Sequence, residues 1–181
     1  MLETRDNGFI PEGMAPEGYH ASRNPVAYPL AKVMALADAA ARRDPASLGA
    51  FRSGLSETNA VLRYWAAMGL LILGAEAAPA TAALDKLMRE DPMPQIRLVA
   101  AEAVAGLRPG SDAIATLGTL TRAPLTWPVR LQALNALTAL GQAARPALAD
   151  IEACQTSDQE YLRSASRYLA QVLNGTYAPG T

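Results

Sequence analysis

Charge is scarce in this chain. Only 18% of its 181 residues are Asp, Glu, Lys or Arg, and they nearly cancel, to a net −1. A surface that neutralises nucleic-acid phosphates has to be basic, so this balance excludes nucleic acid as a partner. Lysine is rarer still: Lys32 and Lys86 stand alone, and every other basic side chain except His20 is arginine. The single cysteine, Cys154, excludes an internal disulfide. Its setting, Ile151-Glu152-Ala153-Cys154, reads as a small buried hydrophobe within a helix. The single histidine, His20, has no second histidine or clustered cysteine with which to share a transition metal. No apolar run reaches the roughly 18 residues of a membrane helix. The longest, 65–74, is about half that length, so no membrane insertion is expected. Residues 1–19 lack the basic-then-apolar order of a signal peptide. The chain therefore reads as soluble, with its compartment open.

What is present is apolar and helix-forming. Half the residues are hydrophobic and aromatics make up only 6%, so alanine and leucine carry the apolar content. That is enough for one domain with a buried core and too apolar for a disordered chain. Three regions follow from composition. Residues 1–29 hold Gly8, Gly13 and Gly18 with Pro11, Pro16, Pro25 and Pro29, show no helical period, and read as an extended lead-in. Residues 30–175 are helical in pattern and stop at Asn174-Gly175. Residues 176–181 are a tail.

Within the helical region a repeat is centred on Arg63, Arg97, Arg130 and Arg163, spaced 34, 33 and 33 residues apart. One residue before each arginine is a branched aliphatic: Leu62, Ile96, Val129, Leu162. Three after it is small: Ala66, Ala100, Ala133, Ser166. Seven after it is Leu70, Val104, Leu137 or Ala170, and ten after it is Leu73, Leu107, Leu140 or Leu173. These four offsets share one face of an α-helix, and the small residue lets a neighbouring helix approach closely. Each arginine helix is preceded by another apolar-periodic stretch, at 45–55, 78–89, 111–121 and 145–153, with Pro45, Pro79 and Pro146 in first-turn positions. Residues 31–43 make a leading helix. A pair this small cannot bury its own apolar face, so the pairs are expected to stack. The predicted fold is all-α: a right-handed α-α superhelix of about four helix pairs plus the leading helix.

The tetratricopeptide and ankyrin signatures are missing. A hydrophobe, then arginine, then alanine three further on resembles the HEAT repeat, which implies a HEAT-like solenoid. The resemblance also implies a structural arginine ladder through Arg63, Arg97, Arg130 and Arg163, paired with acids in neighbouring turns. Glu57, Asp91 and Asp158 are available, whereas the third turn holds Pro124-Leu125-Thr126-Trp127 and breaks the pattern. The stretches Leu62-Arg63-Tyr64-Trp65-Ala66-Ala67-Met68-Gly69-Leu70 and Trp127-Pro128-Val129-Arg130-Leu131-Gln132-Ala133-Leu134-Asn135-Ala136-Leu137 are similar to the HEAT-like region at the C-terminal end of some bacterial sulfatases. Asp6-Asn7-Gly8-Phe9-Ile10-Pro11-Glu12 resembles the segment that links the sulfatase catalytic domain to that region. Tyr28-Pro29-Leu30 and Arg43-Asp44-Pro45 match its entry into the first helices. The catalytic part is not matched: the Cys/Ser-x-Pro/Ala-x-Arg nucleophile motif is missing, and so is the acidic calcium site.

No phosphate-binding glycine loop or nucleophile elbow is present, and Asp85, Glu90 and Asp91 have no partner arrangement for acid–base work. No catalytic residue, metal or cofactor is expected. The best binding signal is the row of positions +1, +5 and +8 from each arginine, which contains Tyr64, Met68, Leu71, Leu98, Glu102, Leu131, Asn135 and Tyr168. On a solenoid this row lines the concave side, and it is more apolar than a solvated face. Either a protein partner covers it or the lead-in does, through Phe9 and Ile10. The expected function is a non-catalytic interaction or scaffold module, the accessory region of a sulfatase-like protein. The alternative is a stand-alone adaptor that binds a peptide or protein on this row. HEAT-like enzymes of the lyase or DNA-glycosylase type fit less well. A glycosylase needs a basic groove, and the row offers Glu102 without lysine or arginine; a lyase would lean on a cysteine or histidine that the row lacks.

Overall fold

A computed structural model describes residues 28–178, which are helices and connecting turns with no strand among them. The expectations for the lead-in, with Phe9, Ile10 and His20, and for the end of the tail, lie outside the described residues.

Helix α1 (Leu30–Arg42) ends where Arg43 turns left-handed at φ +52°. Asp44 then accepts a hydrogen bond from the Ala46 N–H at 2.9 Å and opens a 3₁₀ turn, Pro45–Ser47, that leads into α2 (Leu48–Gly54). Asn59 caps α3 (Ala60–Leu73) by accepting from the Val61 N–H at 3.0 Å. The chain continues through α4 (Thr81–Glu90), α5 (Pro94–Leu107), α6 (Ala113–Leu120), α7 (Trp127–Ala139), α8 (Leu148–Ala153) and α9 (Glu160–Asn174). Pro94 and Pro128 sit in the first turns of α5 and α7, where a missing N–H costs nothing. Pro79 and Pro146 differ from expectation: they lie in 3₁₀ turns, Gly74–Ala80 and Gly141–Ala147, ahead of α4 and α8. Both turns open on a glycine with positive φ, +59° at Gly74 and +56° at Gly141, so the chain reverses there before a regular helix resumes. The most apolar stretch, Ala60–Glu90, is broken at this turn, and α3 alone is 14 residues, short of the ~20 that span a bilayer.

The helices pack in two rows. Helices α1, α3, α5, α7 and α9 touch one another in chain order, and α2, α4, α6 and α8 form the second row against them. Each of the four repeat arginines is the fourth residue of its helix, in α3, α5, α7 and α9. The residues at −1, +3 and +7 are all buried, including Ser166, whose hydroxyl donates to the Arg163 carbonyl at 3.1 Å. Of the +10 leucines, Leu73 and Leu173 are buried and Leu107 and Leu140 half-buried. The small residues do allow close approach. A Cβ on Gly54 of α2 would stand 2.7 Å from the Ala66 Cβ of α3, and one on Gly69 would stand 2.3 Å from the Phe51 ring. Phe51 is fully buried in that notch, worth about 1.5–3 kcal/mol by area removed from water.

The exposed residues of α9 are Glu160, Ser164, Arg167, Gln171 and Asn174 together with Tyr161 and Tyr168, 67% and 42% accessible, so its outer face mixes polar and aromatic side chains. At the other end α1 packs on α3 without a preceding helix among the described residues, and its exposed side carries Leu30 and Met34, 56% and 46% accessible, beside Ala31 and Ala35 and the charged Lys32, Asp38 and Arg42.

Candidate functional site

The four arginines take up two distinct tasks. Arg97 and Arg130 turn back on their own helix pair: Nε donates to the carbonyl nine residues earlier, Met88 at 3.1 Å and Thr121 at 2.7 Å. Those carbonyls end α4 and α6, where the intrahelical donor is missing, and the guanidinium supplies it. Arg63 and Arg163 donate from Nη1 to two turn carbonyls, Glu57 and Thr58 for the first, Ser157 and Asp158 for the second, at 2.8–3.0 Å. Among the four, Arg63 alone also takes a carboxylate: Nε to Asp91 Oδ2 at 2.7 Å and Nη2 to Oδ1 at 3.2 Å.

The expected arginine–acid ladder is thus reduced to one rung, and spacing explains why. Asp91 stands six residues before Arg97, and the equivalent positions before Arg130 and Arg163 are Pro124 and Ser157. Asp158 is one residue too close to Arg163, and its carboxylate faces the Ser157 hydroxyl instead. Other cations cross the remaining junctions: Lys32 to Glu57 at 3.1 Å, Arg89 to Asp112 at 3.2 Å, and Arg122 to Asp150 at 2.6 Å. Asp85 accepts from both Arg89 and Arg108, so this aspartate, too, is structural. Cys154 is buried, its thiol 3.4 Å from the Thr121 carbonyl. No group of three His, Cys, Asp or Glu side chains converges among the described residues.

The predicted binding row divides. Tyr64 and Leu98 were expected on an open surface; both are buried, at 3%, and belong to the continuous core. Met68, Leu71, Glu102 and Leu131 are half-buried, and Asn135 and Tyr168 are exposed. A cleft of about 190 Å³ gathers Tyr64, Met68, Leu98, Glu102 and Asn135, and adds Gln132, so three successive arginine helices contribute to one depression. Leu71 lies elsewhere, in an apolar hollow of about 270 Å³ with Leu70, Ala103 and Leu107. Tyr168 packs edge-on against Tyr177, their ring centres 4.9 Å apart. Gln132 was missed because it is two residues from its arginine, off the +1 and +5 rows, and enters the cleft only where the helices cross.

Glu102 dominates this cleft electrostatically. Glu57, Asp85, Asp91 and Asp150 are at least half-buried, and each holds a lysine or arginine. Glu102 is half-buried too, yet none of the described residues donates a hydrogen bond to it or pairs with it. Burial accordingly raises its carboxyl above the usual carboxylate range. The cleft offers an unsatisfied acceptor, two side-chain amides and aliphatic walls. It has binding chemistry and no nucleophile–base pair.

No protein-family model matches this chain, and no curated protein matches it significantly.

Proposed function

We propose that this chain is a non-catalytic, HEAT-like helical-repeat module that binds protein, and that its setting is the C-terminal accessory region of a sulfatase-like protein. The observation that carries the reading is the exposed Leu30 and Met34 on the leading helix. A stacked helical array needs a polar outer face on each terminal unit. Helix α9 exposes Glu160, Arg167 and Gln171 besides Tyr161 and Tyr168; α1 turns Leu30 and Met34 outward, flanked by Lys32 and Asp38, and sits in the arginine-helix row without a first-helix mate among the described residues. An apolar end of this kind is a docking face for a preceding domain. The right-handed superhelix of four pairs is part of the same proposal, supported by the 33–34-residue spacing and the two-row packing.

The setting is tested by the reading frame upstream of residue 1. A sulfatase catalytic domain continuous with it supports the proposal, and an in-frame stop directly ahead of Met1 contradicts it. The docking face is tested by hydrogen exchange: the α1 amides should be better protected in the complete protein than in the 181-residue chain alone.

A second reading is favoured by a separate observation. The Glu102 cleft spans three arginine helices, so a stand-alone adaptor that binds a peptide on this row is compatible with the site.

A further inference from the structure

We propose that the cleft over α3, α5 and α7 receives the guanidinium of an arginine side chain on a partner polypeptide, with Glu102 as its counter-ion. This rests on the reading of the row as a peptide-binding face and names the group that the face selects.

Three observations lead there. First, Glu102 is half-buried without a cation, whereas every comparably buried carboxylate among the described residues is paired. An unpaired, half-buried charge is costly, and a ligand cation removes that cost. Second, the rest of the lining suits a cation on an aliphatic stem. Met68 and Leu98 supply apolar wall, and Gln132 and Asn135 supply amide oxygens, with no lysine or arginine in the cleft to compete. A guanidinium has five donors in a planar fork and sheds water more readily than an ammonium, so it can engage a carboxylate and an amide oxygen together. Third, the volume is small. About 190 Å³ lies below the roughly 300–1,000 Å³ typical of small-molecule sites, and fits one inserted side chain better than a free metabolite.

The test is a titration of the isotope-labelled 181-residue chain with the peptide acetyl-Gly-Arg-Gly-amide, followed by NMR. Its citrulline and norleucine counterparts are titrated in parallel. The arginine peptide should shift the resonances of Glu102, Leu98, Gln132 and Asn135 in a saturable way. The citrulline peptide, which keeps the shape and loses the charge, should bind about tenfold or more weakly. Glu102→Gln should abolish this difference. Asn135→Arg, at an exposed position, should occupy the carboxylate from within and block the peptide. Equal binding of the arginine and norleucine peptides would overturn the cation assignment while leaving the row as a binding face. Shifts that do not saturate with any of the three peptides would overturn both.

Discussion

Arg63 on α3 and Asp91, ahead of α5, form a two-pronged ion pair across a helix-pair junction, Nε to Oδ2 at 2.7 Å and Nη2 to Oδ1 at 3.2 Å. Their side chains are only 14% and 4% exposed. Asp91 Oδ1 also accepts from the Met93 N–H at 2.9 Å, so one carboxylate both starts α5 and holds it to the preceding pair. Arg97, at the same place in the next helix, makes one backbone contact instead.

That difference predicts unequal costs for the same substitution. Arg63→Ala strands a buried aspartate and should destabilise by about 3–5 kcal/mol. Arg97→Ala removes one charge-assisted bond to a carbonyl, worth about 1.5 kcal/mol. Denaturant unfolding measures both, with Arg163→Ala, which loses the same two turn-carbonyl contacts and no carboxylate, as the reference; equal losses at Arg63 and Arg163 would mean that the ion pair contributes nothing beyond the backbone staples.

Two helical glycines should respond in opposite directions. Gly69→Ala places a Cβ about 2.3 Å from the buried Phe51 ring, an overpacking that should cost about 1–3 kcal/mol or more. Gly106 lies in α5, where an added methyl would meet nothing within 4 Å, and Gly106→Ala should stabilise by about 0.5–1 kcal/mol. Thermal melts of both variants check the sign of each.

The Glu102 carboxyl, raised by burial, makes a pH prediction. A folded state that binds this proton more tightly than the unfolded chain loses stability as pH rises through the ordinary glutamate value toward the raised one. Glu102→Gln removes that loss. The variant should melt no lower than the parent at neutral pH, and the gap between them should shrink on acidification. A variant that melts lower at neutral pH would place Glu102 among the stabilising carboxylates.

Much of the fold was legible in the sequence because the arginine repeat samples a helix at one fixed phase. The offsets −1, +3 and +7 put the same face inward four times, and all twelve residues are buried. The ladder was less legible. A one-residue shift moves Asp158 off the position that Asp91 holds, and the other junctions use cations outside the repeat, such as Lys32 and Arg122. The binding row was half legible. Helical phase gave the direction of Tyr64 and Leu98, while their depth depends on how adjacent helices close over them. Glu102 stood out in the row as its one charge, but its lack of a partner is a property of three helices together.

A leading helix that docks on another folded element brings Met34 against it. The most direct measurement places a photo-cross-linking amino acid at Met34 in the protein expressed in its own organism, with Arg167 on α9 as the control. Docking gives one defined cross-linked surface from position 34, on an upstream domain or a single partner, and none from position 167. Equal and diffuse labelling from both positions would contradict it.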